Sequence, residues 1–524
     1  MQYRISQQRI LSVAFTHLPT DRIARIKWGK SWILDGRPET PPIAVTGLAK
    51  NAIRIVALED HASRQGIQQG QSLSDARALV PGLEYWEHDE DADKALLHAI
   101  AAWCERYTPL VALSGEDGLF MDITGCTHLF GGEACLVAGL AARLNAQGLS
   151  IRLSIADTPG AAWAMARYGT QRVIDEGAGR GAISGLAVAA LRLDPATVTS
   201  LNRVGLKTIG CLANLPRAPL AARFGFPVLR RLDQALGRED EVISPLMPVA
   251  ELTSEKRFAD PIVYEDDIKR TLGILADNLT PLLERRGLGA RECRVKLFRV
   301  DGDIATLSVQ TANPLRDAGQ IARLFEERLA ALHDGFDAGF GFDVIRLEVC
   351  RTDPFEPGQG SLTEDRQSGY GYDALIDRLG ARLGTDRIRH FILADTHIPE
   401  RSFGTAPVVQ DKARDRTLCA SSPGQDVITR PLILLQSPEL VETISQVPED
   451  PPIRFRWRKV FYDVARSEGP ERIACEWWQD GRGSHTRDYF RVEDGQGYRF
   501  WMFRNGLYGR ETTQPKWYMH GLFA

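Results

Sequence analysis

No apolar run in the chain approaches the roughly 18 residues a membrane-spanning helix needs, so no span is expected. There is no Cys-x-x-Cys pair and no Cys/His cluster at zinc spacing. The eight cysteines, Cys104, Cys126, Cys135, Cys211, Cys293, Cys350, Cys419 and Cys475, are scattered, as reduced thiols in a cytosolic protein would be. A dominant charge is also missing. The net charge is -4, so the chain is not a generic polycation, and any nucleic-acid surface must be local. Met1–Arg9 is polar and the apolar run 10–15 is too short for a signal-peptide core, so a cytoplasmic location is expected. No internal repeat is present. Finally, no Asp or Glu occurs before Asp21.

At 524 residues the chain exceeds what one hydrophobic core supports, and its 44% hydrophobic content is ordinary for a globular protein. Strand and helix signals alternate at first: strands at 10–15, 42–45, 119–123 and 151–156, helices at 72–80, 93–107 and 133–147. Residues 166–243 carry helical stretches punctuated by Gly and Pro, and no strand signal. Mixed patterning returns over 244–352. A strand is expected at 251–258, then a long helix at 266–286 with Ile268, Leu272, Leu275 and Leu279 on one face. Strands at 293–300, 305–310 and 344–350 and a helix at 320–332 complete this segment. A linker and helical region is expected over 353–452. The last segment, 453–524, holds 16 of the 42 aromatic residues and reads as a small β-rich domain.

Several segments resemble, in order, landmarks of the Y-family translesion DNA polymerases. Pro42-Ile-Ala-Val45 resembles the strand before the nucleotide-contacting turn. The stretch 62–81, with Ser63-Arg64, Gly66-Ile67, Gly70 and Pro81, resembles the turn and helix that follow it. Gly115-Glu-Asp-Gly-Leu-Phe-Met-Asp-Ile-Thr124 resembles the second metal-ligand motif. Leu153-Ser-Ile-Ala-Asp-Thr-Pro159 resembles the strand and turn entering the next helix. Leu201-Asn-Arg-Val-Gly-Leu-Lys-Thr-Ile-Gly-Cys-Leu212 resembles the helix-hairpin-helix of the thumb. The closing segments 487–494 and 520–524 resemble the C-terminal region of the ImuB group within that family. The resemblance covers roughly 8–350 and rests on order and spacing.

It implies an α+β multidomain fold: palm and fingers over 8–165, a helical thumb over 166–243, a little finger over 244–352, then the linker region and the aromatic β domain. It also implies where chemistry should lie. Nucleotidyl transfer uses two divalent cations held mainly by carboxylates. Here Ser12 and Ala14 fall on the acidic positions of the first strand. Asp117 falls on the Asp of the second motif, and Gly118 replaces its Glu. The Tyr and Arg of the nucleotide turn fall on Asp60 and Ser63, with Arg64 one position late, and the lysine expected after Pro159 is Ala161. A degenerate polymerase site is expected, with no metal, no cofactor and no enzymatic activity. The open alternatives are an active translesion polymerase with relocated ligands and a repair scaffold with an unrelated N-terminal domain.

For DNA, the resemblance points to Arg203, Gly205, Lys207 and Gly210 of the hairpin. The glycines would allow close approach of phosphates to backbone N–H groups. In the little finger, Arg294 and Lys296 share one face of a strand with Glu292, and Lys256, Arg257, Arg291 and Arg299 are further candidates. Gln359 and Leu362 are all that remains of a sliding-clamp peptide. In the C-terminal domain Trp457, Trp477, Trp478, Trp501, Trp517 and Tyr518 mix with arginines, a composition that fits either a β core or a partner surface. The implied partners are primer–template DNA, a RecA-like accessory protein (ImuA) and an error-prone C-family polymerase, with nucleoid association.

Overall fold

Ile-Leu-Ser-Val-Ala-Phe, six residues without a charge, form strand β1 (Ile10–Phe15), and all six are buried. A computed structural model describes residues 8–49, 51–246, 250–332, 337–355, 366–408, 430–445, 450–480 and 484–523. Contacts divide the chain into two units, Met1–Arg382 and Leu383–Ala524. In the first unit β1 is followed by β2 (Ile43–Ala49), β3 (Ala52–Leu58), β4 (Glu84–Glu87), β5 (Val111–Leu113), β6 (Gly118–Asp122) and β7 (Ile151–Ala156). The palm is an antiparallel sheet of order β5-β6-β1-β7, and the fingers are a separate sheet of order β3-β2-β4.

Alternation along β1 sets what each face does. Leu11, Val13 and Phe15 join Leu97 and Trp103 of the helix Glu90–Cys104 and Leu136 and Leu140 of the helix Glu133–Ala146. Ile10, Ser12 and Ala14 turn to the other face. There Ile10 and Phe120 pack with Ala161, Ala162 and Met165 of the helix Pro159–Tyr168. Thr158 starts this helix by accepting the N–H of Ala161, with Pro159 in the first helical turn. Gly160 lets the helix sit against the thumb, since a Cβ there would lie 2.8 Å from Cα of Ala235.

The thumb-like segment folds as short helices, among them Pro195–Arg203, Ile209–Ala213, Arg217–Phe224 and Phe226–Ala235. The little-finger-like segment contains β8 (Leu252–Ile262), the helix Glu265–Arg285, β9 (Leu288–Arg299), β10 (Ile304–Leu315), the helix Ala318–Ala330 and β11 (Phe342–Pro354). Its sheet order is β10-β9-β11-β8, with Ile268, Leu272, Leu275 and Leu279 buried against it.

In the second unit β12 (Arg389–Leu393) and β13 (Phe403–Pro407) form a ribbon. A closed antiparallel barrel follows: β14 (Ile433–Ile444), β15 (Arg454–Trp457), β16 (Val460–Ile473), β17 (Arg487–Asp494), β18 (Arg499–Asn505) and β19 (Lys516–Leu522). Two expectations are corrected here. The region 353–452 is not a linker with helix alone, because it contains β12, β13 and β14 after the helix Arg366–Leu383. The β domain therefore takes in a strand upstream of 453. The pairing of β14 with β19 shifts register between Leu434 and Glu439, around Pro438, and this irregularity masks the period-2 signal. Among the described residues the cysteines are free thiols, and no helix is long and apolar enough to cross a membrane.

Candidate functional site

Sheet register brings the four predicted palm positions together. Ala14 pairs with Gly118 across β1 and β6, and Ser12 pairs with Phe120. Ser12 is fully buried and its Oγ has no hydrogen-bond partner. Asp117 lies in the turn before β6, and its carbonyl accepts the N–H of Phe15 at 2.8 Å. Its carboxylate faces Arg167, from the last turn of the helix Pro159–Tyr168, with Nη2 2.6 Å from Oδ1. The Arg167 guanidinium lies 4.5 Å from the centroid of Trp163. Gly118 is what lets it in. A Cβ at 118 would stand 2.8 Å from Arg167 Nη2 and 3.0 Å from the carbonyl of Val13.

Arg192 and Arg231 line, with Asp117 and Trp163, a cleft of about 510 Å³. Arg192 donates two bonds to Glu241, at 2.7 and 2.6 Å, and Arg231 reaches the same carboxylate at 3.1 Å. Among the described residues no group of three or more His, Cys, Asp or Glu is arranged to hold a metal ion. Paired Mg²⁺ ions need several hard oxygen ligands, and Asp117, the one carboxylate among the four aligned positions, already faces a guanidinium. The residues present do not fit a two-cation centre.

The residues that the resemblance aligns with nucleotide contacts have these surroundings. Asp60 lies 3.1 Å from Nε2 of His17, and Arg64 is exposed with Nη2 4.0 Å from Asp60. Ala161 is buried in the first turn of its helix.

In the thumb, Arg203, Gly205 and Lys207 are exposed around the turn between Pro195–Arg203 and Ile209–Ala213. Gly205 has φ +83°, with open space where a side chain would point. Two parts of the sequence expectation are corrected. Gly210 faces the protein rather than solvent, because a Cβ there would meet the Ser184 carbonyl at 2.9 Å. The N–H groups of Gly205, Leu206 and Lys207 donate within the hairpin, to Asn202, Leu201 and Gly205. The side chains of Arg203 and Lys207 are the charged groups of this turn left exposed.

The little finger brings a larger correction. Lys296 is buried, with Nζ on Glu105 of the palm and 3.4 Å from Glu348. The same sheet face is tied to the palm by Arg346, which donates to the Glu105 carbonyl at 2.9 Å, and by Arg106, which is paired with Asp343. Arg257 donates to the Arg106 carbonyl at 2.7 Å and Arg299 pairs with Asp301 at 2.7 Å. Alternation correctly places Lys296 and Arg294 on one face, but cannot tell that the palm covers it at Lys296. Arg294 stays partly exposed, 3.7 Å from Glu292.

In the barrel, Trp457, Trp501 and Trp517 are buried as core. Trp477 and Trp478 are 81% and 60% exposed, in an edge-on pair with centroids 5.7 Å apart. Their turn is anchored by buried Glu476, which accepts from Thr396, and by Asp480, 2.6 Å from Arg401. Arg454, Arg456 and Arg458 are paired with Asp463, Glu442 and Glu439. Gln359 and Leu362 lie outside the described residues. The residue that sequence reasoning missed is Arg167. Its only trace was indirect: a glycine where a side chain was expected.

A family model described as the impB/mucB/samB family matches residues 32–167, and one described as the C-terminal domain of that family matches residues 250–362. The chain is 41% identical over 471 residues to Protein ImuB of Caulobacter vibrioides, covering 88% of this chain and 100% of that protein. It is 26% identical over 290 residues to a DNA polymerase IV of the same species, covering 53% of this chain and 70% of the relative. Among solved structures it is similar to DinB from Sulfolobus solfataricus, with a TM-score of 0.37, 12% identity and coverage of 66% of this chain and 100% of the other. The identity to ImuB over the whole length of that relative decides the matter: this chain belongs to the ImuB group of the impB/mucB/samB, or Y-family, polymerase relatives.

Proposed function

We propose that this protein is a non-catalytic, DNA-binding adaptor of SOS-induced, error-prone translesion synthesis. The observation that carries the reading is the palm centre, where Ser12, Ala14 and Gly118 surround one carboxylate and Asp117 is paired with Arg167. A chain that keeps the palm, fingers, thumb and little finger but offers no cation cage retains the fold for holding DNA and partners. Arg203 and Lys207 supply sequence-independent phosphate contacts. The partners in this reading are an error-prone C-family polymerase and a RecA-like accessory protein. The exposed pair Trp477 and Trp478 is the docking feature of the second unit, since large aromatics anchor protein interfaces. Clamp contact through Gln359 and Leu362 is a weaker element of the same reading.

The test is reconstitution. On primer–template DNA with an abasic site, the full chain should raise bypass by the C-family polymerase, and a chain carrying Trp477→Ala and Trp478→Ala should not. Equal bypass with and without the full chain would remove the adaptor role.

A further inference from the structure

We propose that Arg167 is a built-in cation that takes the place of a metal in the palm and keeps divalent ions out. The inference rests on the degenerate-site reading above and goes beyond it. Lost ligands alone would leave Asp117 free to hold a weakly bound ion. Here the guanidinium lies 2.6 Å from Asp117 Oδ1 and fills the space that a side chain at 118 would need, 2.8 Å from the Cβ position. Trp163 stacks beneath it at 4.5 Å, and the Arg167 side chain is only 13% exposed. A stacked, largely buried guanidinium beside a carboxylate neutralises it and leaves a second cation facing repulsion at close range. Arg192 and Arg231 share Glu241 across the cleft, so that carboxylate is also engaged.

Two consequences separate this account from simple loss of ligands. Removing the charge at 167 should create an ion site that the native chain lacks. A glutamate placed at 118 should pair with Arg167 rather than hold an ion while Arg167 remains, because the guanidinium ends 2.8 Å from the Cβ position.

The experiment is Mn²⁺ titration of the full chain, following free Mn²⁺ by electron paramagnetic resonance. The native chain should show no Mn²⁺ site that depends on Asp117. Two neutral replacements, R167Q and R167L, guard against a folding defect in either one, and each should gain one weak site that D117N removes. G118E alone should gain none. G118E combined with R167Q should bind roughly tenfold more tightly than R167Q, through its second carboxylate. An Asp117-dependent site in the native chain would overturn the proposal, and so would folded R167Q and R167L chains that bind no Mn²⁺. Primer extension by the same native preparation keeps the two readings apart. A native Mn²⁺ site in a chain that extends nothing sinks this inference and leaves the adaptor. Extension would sink both readings, since nucleotidyl transfer needs divalent ions in the palm, whereas no gain in bypass on reconstitution, with no native Mn²⁺ site, sinks the adaptor reading alone.

Discussion

Lys296 and Lys207 were both expected to meet DNA, and their surroundings now separate them. Lys296 is buried between Glu105 and Glu348, whereas Lys207 is exposed on the thumb turn. Removing one partner of a buried ion pair strands the others, so Lys296→Ala should lower stability by about 3–5 kcal/mol in chemical denaturation. It should leave duplex affinity unchanged in folded protein. Lys207→Glu should do the reverse, with wild-type stability and weaker binding to every duplex alike, because phosphate contacts carry no base information. Loss of affinity for only some sequences would contradict this. At the palm, the absence of acid at 12, 14 and 118 is visible in the sequence because a missing carboxylate can be counted. Arg167 was not legible, because nothing in a linear pattern says that a guanidinium from the next helix fills the gap.

Elements were more legible where burial matched a simple period. β1 and β7 fall at 10–15 and 151–156 as predicted, since β1 is apolar apart from Ser12 and β7 alternates Ile151, Leu153 and Ile155 with Arg152 and Ser154. The helix Glu90–Cys104 begins three residues before the predicted start. Its first turn is acidic and capped by Asp89, and those residues carry no apolar period. β14 was missed because of its irregular pairing.

The helix Leu18–Trp28, also unpredicted, is held by buried Asp21, which accepts from Ser150 N–H at 2.6 Å and Ser150 Oγ at 3.1 Å. Burial pushes the Asp21 carboxyl up to about 7, only partly offset by those hydrogen bonds. A raised acid keeps its proton in the folded chain where the unfolded chain has lost it. Its contribution is fully present below the ordinary value of 3.8 and is lost as pH rises through about 7. Denaturant melts of the first unit at pH 5 and pH 9 should differ by an amount that shrinks in Asp21→Asn. An unchanged difference would show that another group sets the dependence.

At the scale of the molecule, a polymerase-like first unit in which Asp117 is paired with Arg167 is joined to a barrel that displays two tryptophans. The polymerase-like α+β fold was legible because motifs resembling that family arrive in order along the chain. Coverage of the little-finger face at Lys296 was not, because contacts between domains leave no periodic mark. The central claim is that this fold has kept its frame and given up nucleotidyl transfer. Primer extension by the purified full chain, with Mg²⁺ and separately with Mn²⁺ on undamaged primer–template, tests it most directly. The account predicts no added nucleotide above a no-protein control with either ion, at enzyme in excess over DNA. Robust extension that Asp117→Ala abolishes would contradict it.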